Sequence, residues 1–424
     1  RWELAYRYAG EEDFAVFAEG ASTRSAAPLG DFDPTTLLNG LYTIRLQVFD
    51  AGGNVSEDST TVQVEGRMKV GPFSINYVDL EIPMSGIPVA VERVYDSRDK
   101  RQGDLGVGWR LGIDSLEVRT TENLGQDWRV IRSGLTYRIV ETQAHRASVR
   151  LPDGRIEAFQ MVVSPAASPI VPFPPFTQSV SFRPLPGTLG SLESLEENTV
   201  SILDAQPGPV ELRVDSDASR YAPSRFRYTT ASGVQIELNT RDGVERVVDR
   251  NGNTLTFDDD GITHSGGKSV VFDRDAQGRI TQITDPGGNV QTYRYDANGD
   301  LSSHTDAEGF TTRYDYNRFH DLIRITDPLD RVVARNDYDD DGRLIRAVNE
   351  NGAVVEYDYD IDGREQRVTQ AGGGETLLEY DERGNIVRTI DALGNTVERT
   401  FDGDDNLTSI TNALGETTTR SYDS

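Results

Sequence analysis

The chain contains no cysteine. Disulfide scaffolds, thiolate zinc sites and cysteine nucleophiles are therefore excluded. Imidazole is nearly as scarce, since His145, His264, His304 and His320 are the whole supply. No stretch approaches the run of about 18 apolar residues that a membrane-spanning helix needs. Positive charge is in deficit too: 43 Lys+Arg stand against 70 Asp+Glu, a formal net charge of −27 over 424 residues. A field of that sign repels phosphate backbones and anionic lipid, so neither nucleic acid nor membrane insertion is expected. The opening Arg1-Trp2-Glu3 carries neither Met nor a signal peptide, and the expectation is a piece of a longer polypeptide.

Turn formers are plentiful, with 40 Gly and 18 Pro. Tyr, Phe and β-branched residues are spread along the chain and give it apolar area to bury, so disorder is not implied. The dominant pattern is a repeat. Aromatic residues recur at Tyr295, Tyr316, Tyr338, Tyr359, Tyr380, Phe401 and Tyr422, at steps of 21 or 22, with Phe272 a further 23 residues upstream. Asp follows each one except Tyr316, which precedes Asn317. Gly often stands four residues after the aromatic, as at Gly299, Gly342, Gly363 and Gly384.

In the unit from Tyr380 the tetrapeptide Asp-x-x-Gly occurs twice, at 381–384 and 391–394. Asp at the head of a turn accepts hydrogen bonds from the backbone beyond it, and Gly supplies positive φ at its end. Ten residues after the aromatics come Thr305, Thr326, Val348, Thr369, Ile390 and Thr411, all β-branched as a strand favours. Each unit reads as two short strands and two tight turns. So short a unit cannot bury its own apolar side chains, so neighbours must pair edge to edge into a continuous sheet. The residues proposed to build this turn chemistry are Tyr295, Asp296 and Gly299; Tyr338, Asp339 and Gly342; Tyr359, Asp360 and Gly363; Tyr380, Asp381 and Gly384; Phe401 and Asp402; Tyr422 and Asp423. A tyrosine ladder that stacks sugars is the competing reading.

These units, with the variants Ile283-Thr284-Asp285-Pro286 and Ile325-Thr326-Asp327-Pro328, resemble the YD repeats of bacterial Rhs (rearrangement hotspot) proteins over about 272–424. A weaker continuation covers 226–271. Gly is replaced by His320, Asp330 and Asp405 in three turns, which are expected to be altered. Upstream, Lys69-Val70-Gly71-Pro72-Phe73, Arg93-Val94-Tyr95-Asp96-Ser97 and Gly106-Val107-Gly108-Trp109 resemble the segment that opens an Rhs shell. Val89, Val91 and Arg93 alternate as a strand does, and the Gly-x-Gly-Trp run suits a turn that seats a buried indole. It fails as a phosphate loop because no helical pattern follows it.

Residues 1–66 read differently. Tyr42–Asp50 and Ser59–Glu65 alternate with period two on either side of a Gly-Gly-Asn turn, which suggests the last hairpin of an immunoglobulin-like sandwich, present in whole or in part. Trp2, Leu4, Tyr6 and Tyr8 give another strand. The Pro-rich, nearly uncharged stretch 164–187, with Phe173, Phe176 and Phe182, reads as a stiff extended loop and not a strand. Leu192–Glu197 reads as a helical turn.

The Asp clusters at 258–260, 339–341, 360/362 and 402/404/405 fall on the repeat's own turns, and Asp339 followed by Glu350 lacks the ligand pattern of a calcium loop. There is no Gly-x-Ser-x-Gly, and the histidines share no position in the repeat. No metal, cofactor or catalytic residue is assigned.

The fold class expected is all-β: an immunoglobulin-like β-sandwich at 1–66, an opening shell segment at 67–225, and a spiralling YD-repeat β-sheet at 226–424, regular from about 272. In the family such repeats form a hollow β-cage around a C-terminal toxin, so the resemblance implies a non-enzymatic, secreted or cell-surface wall whose partners are the remainder of its chain and an enclosed domain beyond Ser424. A glycan-binding adhesin and a carboxylate-pair hydrolase are the alternatives.

Overall fold

A computed structural model describes residues 1–22, 27–66, 68–169, 177–202, 207–403 and 405–422. Strands dominate throughout; the described helical turns are both 3₁₀, Pro34–Thr36 and Gly112–Ser115. The chain divides into two compact units that do not follow chain order. One comprises 1–33, 39–64 and 116–250, the other 34–38, 65–115 and 251–424.

In the first unit the N-terminal strands form one antiparallel sheet, ordered Ala15–Gly20, Trp2–Tyr8, Gly40–Phe49, Val55–Val64. The period-two hairpin is its longest pairing, closed by Asp50, whose Oδ1 accepts the N–H groups of Gly52 and Asn54 at 2.8 and 2.9 Å. These strands supply a single sheet among the described residues, and the layer against Tyr8 comes from elsewhere in the unit. The Arg119 guanidinium lies 5.5 Å from the Tyr8 ring, and the Tyr8 hydroxyl reaches Glu117 at 3.3 Å.

Two expectations about this unit fail. Leu192 does not start a helical turn: Ser191–Ser194 is a strand paired with Arg225–Thr229, because Leu192 is wanted between Phe182 and Tyr228 and its neighbours alternate outward. The Pro-rich stretch is also largely strand at its ends. Gln178–Pro184 pairs with Phe159–Ser164 and buries Val180 and Phe182, while Ala167–Pro169 pairs with Thr136–Arg138. Pro169 and Pro184 sit at strand ends, where a missing donor costs least. Phe173 and Phe176 lie outside the described residues.

In the second unit seventeen consecutive antiparallel strands among the described residues run from Thr254–Asp258 to Thr417–Thr419. Each repeat contributes two strands, and the register shifts just before the aromatic at Tyr295, Tyr316, Tyr338, Tyr380 and Phe401, whereas the pairing through Tyr359 runs on unshifted. Such a bulge turns one N–H out of the ladder. The other part of this unit, residues 65–115, carries a three-stranded sheet of Ser74–Ile82, Val89–Asp96 and Trp109–Leu111.

Candidate functional site

The turns explain why Asp leads most of them. In the turn 296–300, Asp296 Oδ1 accepts the N–H groups of Asn298 and Asp300 at 2.8 and 2.9 Å; Gly299 N–H donates to the Asp296 carbonyl at 3.2 Å, and Asp296 N–H to that of Asp300 at 2.9 Å. Asp339 and Asp381 do the same with residues two and four ahead, and Asp402 accepts from Asn406. A carboxylate that holds backbone N–H groups favours its charged form. Hydrogen bonds from Asn289 and Asn395 accordingly hold Asp285 and Asp391 below the usual carboxylate range.

Gly299, Gly342 and Gly384 have φ of 91°, 77° and 78°. Gly363 does not: its strand runs on to Asp360, and Arg364 takes the left-handed conformation at 56° instead. Asp360 Oδ1 there accepts the Gly363 N–H at 2.8 Å.

The turns expected to be altered keep the same backbone bonds. His320, Asp330 and Asp405 have φ of 65°, 59° and 60°, and each donates its N–H to the carbonyl three residues back. Two of them repay the strain by reaching the preceding repeat. His320 Nδ1 lies 2.8 Å from an Asp300 carboxylate oxygen, and Asp405 Oδ1 accepts from Asn385 at 2.6 Å. Asp300 is 1% exposed, and burial raises its pKa against the pull of His320.

The repeat aromatics face their neighbours. The hydroxyls of Tyr295, Tyr316, Tyr338, Tyr359 and Tyr422 donate to the carbonyls of Ile280, Leu301, Leu322, Leu344 and Leu407, each one repeat back. Tyr380 is buried with Met68 and Val70, Phe401 is half-buried, and only the Tyr422 ring in this row is exposed. Asp423 lies outside the described residues. The chosen residues thus form a line of equivalent positions, one per repeat, and not a convergent site.

The convergent site is one the sequence reading did not select. Val89, Val91, Arg93 and Tyr95 alternate onto one face, and all are at most 1% exposed. Arg93 therefore occupies an apolar position and must bring its counter-charge with it. Its Nε and Nη2 donate to both oxygens of Asp79 at 2.7 and 3.0 Å, and its Nη1 donates to the Tyr314 hydroxyl at 2.9 Å. Tyr293 donates to Asp79 at 2.8 Å, and Gln291 Nε2 to the Asp79 carbonyl at 2.5 Å. Arg93 Nη2 also faces His304 Nδ1 at 3.3 Å, and because a guanidinium has no acceptor, that nitrogen must be unprotonated. His304 Nε2 then donates to Gln291 at 2.8 Å. Burial and the Arg93 charge push the imidazole down to about 4.

The indole of Trp109, 0% exposed as its turn implied, packs edge-on against Tyr314 and donates to the Tyr316 hydroxyl at 2.7 Å. Tyr95 closes the same seam: its hydroxyl donates to the His320 carbonyl and accepts the Leu322 N–H, both at 2.9 Å. Lys100 reaches Asp321 at 2.5 Å. The charged residue in an apolar alternation was the signal available in the sequence. Asp79 lies only 14 residues away, but Tyr314 and His304 were not legible, because they lie more than 200 residues away. None of the buried side-chain nitrogens and oxygens of these residues lacks a partner, which suits an anchor that fixes 65–115 to the repeats.

The comparisons with known proteins agree with this architecture. The family model described as RHS Repeat matches residues 248–290, 274–311, 295–332, 338–375 and 362–396, and a Domain of unknown function (DUF6531) matches 67–159. Between 248 and 396 the chain is thus built of repeats of the Rhs/YD family. No curated protein sequence matches it. Among solved structures, the TcdB2-TccC3 complex is similar at 9% identity and a TM-score of 0.31 over 87% of this chain and 28% of its own. A variant Tc holotoxin pore of Photorhabdus luminescens is similar at 11% identity and a TM-score of 0.26, over 87% and 25%. The chain thus spans about a quarter of the length of these structures. A porin-like protein of Bacteroides uniformis is similar at 14% and 0.17, over 47% of this chain and 85% of its own. At these scores the family assignment rests on the repeats.

Proposed function

We propose that the chain is wall material, a non-enzymatic part of a β-cage that encloses a C-terminal toxin or effector domain of a secreted or cell-surface parent protein. The single observation that supports this most is the way successive repeats are locked together: tyrosine hydroxyls are spent on the neighbouring repeat's carbonyls, and turn carboxylates on their own backbone. Groups committed in this way serve construction and leave little for chemistry. The glycan-binding alternative needs a row of outward aromatics, and in the repeat row only Tyr422 offers one. The carboxylate-pair hydrolase needs two acids about 5–10 Å apart in a cleft. The buried Asp79 and Asp300 are instead paired with Arg93 and His320.

The test uses the parent protein. After limited proteolysis, a domain C-terminal to the repeats should stay intact and co-elute with the shell under native conditions, then separate in denaturant. A C-terminal domain digested as fast as its isolated form would contradict enclosure.

A further inference from the structure

The segment 65–115 meets the repeats at one recurring place, the exit of the Asx turn. There the bulge leaves the turn's last carbonyl and the N–H two residues on facing away from the ladder. Ile280 N–H donates to Asp104 O at 2.7 Å, Val107 N–H to Gly299 O at 3.3 Å, Leu344 N–H to Gly71 O at 2.8 Å and Met68 N–H to Gly384 O at 2.9 Å. At 320–322 the Tyr95 hydroxyl takes both roles.

Glycine marks three of these contacts. A Cβ at Gly66 would stand 2.7 Å from Arg383 O, one at Gly71 2.7 Å from Arg343 Cα, and one at Gly106 2.8 Å from Gly299 O. Each glycine lets main chain approach main chain, and an apolar residue follows or precedes it: Met68, Val70 and Val107, all buried. The docking rule is therefore a positive-φ glycine at the turn exit with an apolar side chain within two residues of it.

From Asp104 toward the N-terminus of this segment the contacts advance to later repeats, from 280 through 320–322 and 344, and end, among the described residues, at the 381–385 turn. The next turn exit, Asp405 to Leu407, has the same bulge between Thr400 and Phe401, and Leu407 and Ile410 beside it are half-exposed. From this continuity we infer that the exit at Asp405–Leu407 is a further docking position that takes a glycine-containing apolar peptide in the manner of Gly71. The inference stands whether or not the shell encloses a toxin domain, since it rests on the seam alone.

The probe is a synthetic peptide with the sequence of residues 65–75, added to the intact chain, with amide hydrogen exchange read repeat by repeat. The peptide should slow exchange across Leu407–Ile410 by about tenfold or more, leaving 280–344 unchanged. The same peptide with Gly66→Val and Gly71→Val should not. No slowing at saturating peptide, equal slowing by the valine peptide, or changes confined to 280–344 would overturn the assignment. So would protection of 405–410 that rises with protein concentration before any peptide is added, since a second copy would then be the occupant.

Discussion

Leu322 and Leu407 hold the same position in the repeat, at a turn exit and facing a strand of similar make-up. Leu322 is 0% exposed and Leu407 is half-exposed. The contrast extends along the row: Ile280, Leu301, Leu322 and Leu344 are at most 4% exposed, whereas Ile386 and Leu407 are not buried. Strand lengths, turns and the tyrosine hydroxyl bonds are alike at both ends. The repeat therefore encodes the sheet, and residues 68–111 supply the burial. A period of 21 specifies pairing and turn geometry; a core requires a second layer.

The largest effect should come from the anchor. Arg93→Ala would strand the Asp79 carboxylate, 2% exposed, and cost about 3–5 kcal/mol. The late-repeat pair Arg388–Glu379, 3.0 Å apart but 41% and 29% exposed, should lose under about 1 kcal/mol on Arg388→Ala. Denaturant unfolding of both variants measures the difference, and equal losses would break the comparison. Core truncation should follow the same division. Leu322→Ala is expected to cost about 2–5 kcal/mol, and Leu407→Ala well below that range because less surface is lost.

Acid should also act first on the covered repeats. His304 is held neutral, its pKa lowered from 6.5 to about 4, so the unfolded chain binds the extra proton between these values. Stability is then complete above about pH 6.5 and is lost as pH falls toward 4. The lowered turn carboxylates Asp285 and Asp391 likewise contribute above their unfolded pKa, but lose that contribution only at lower pH, as it falls through their folded values. His304→Gln should remove the slope between pH 6.5 and 4 in a thermal melt series, and an unchanged slope would assign it elsewhere.

The smallest effects concern the turns. Gly384→Val forces a β-branched residue to φ 78° and should cost about 1–3 kcal/mol. Asp330→Gly relieves left-handed strain at a site 80% exposed and should stabilise by up to about 1 kcal/mol. His320→Gly relieves similar strain but leaves Asp300 buried without its imidazole, and should destabilise. Thermal shifts of opposite sign for these two would separate strain from inter-repeat bonding.

Sequence patterns carried what is local. The 21-residue steps set the strands, Asp-x-x-Gly set the turns, and the hairpin of Tyr42 and Val62 followed from alternation. They misjudged Leu192–Glu197, where composition suggested a helix but the apolar neighbours Phe182 and Tyr228 demanded a strand. They took His320 and Asp405 as defects, because the bonds that reward them lie 20 residues back. The Arg93 cluster was out of reach for the same reason on a larger scale, joining residues 211 to 221 positions apart.

Native-state amide exchange of the intact chain tests the central claim most directly. Strand amides of 280–348 should exchange at least about a hundredfold more slowly than those of 386–411, and Arg93→Ala should erase that advantage while leaving 386–411 as they were. Uniform protection along the series, or a gradient that survives Arg93→Ala, would mean that the repeats are stabilised by their own pairing and owe nothing to residues 68–111.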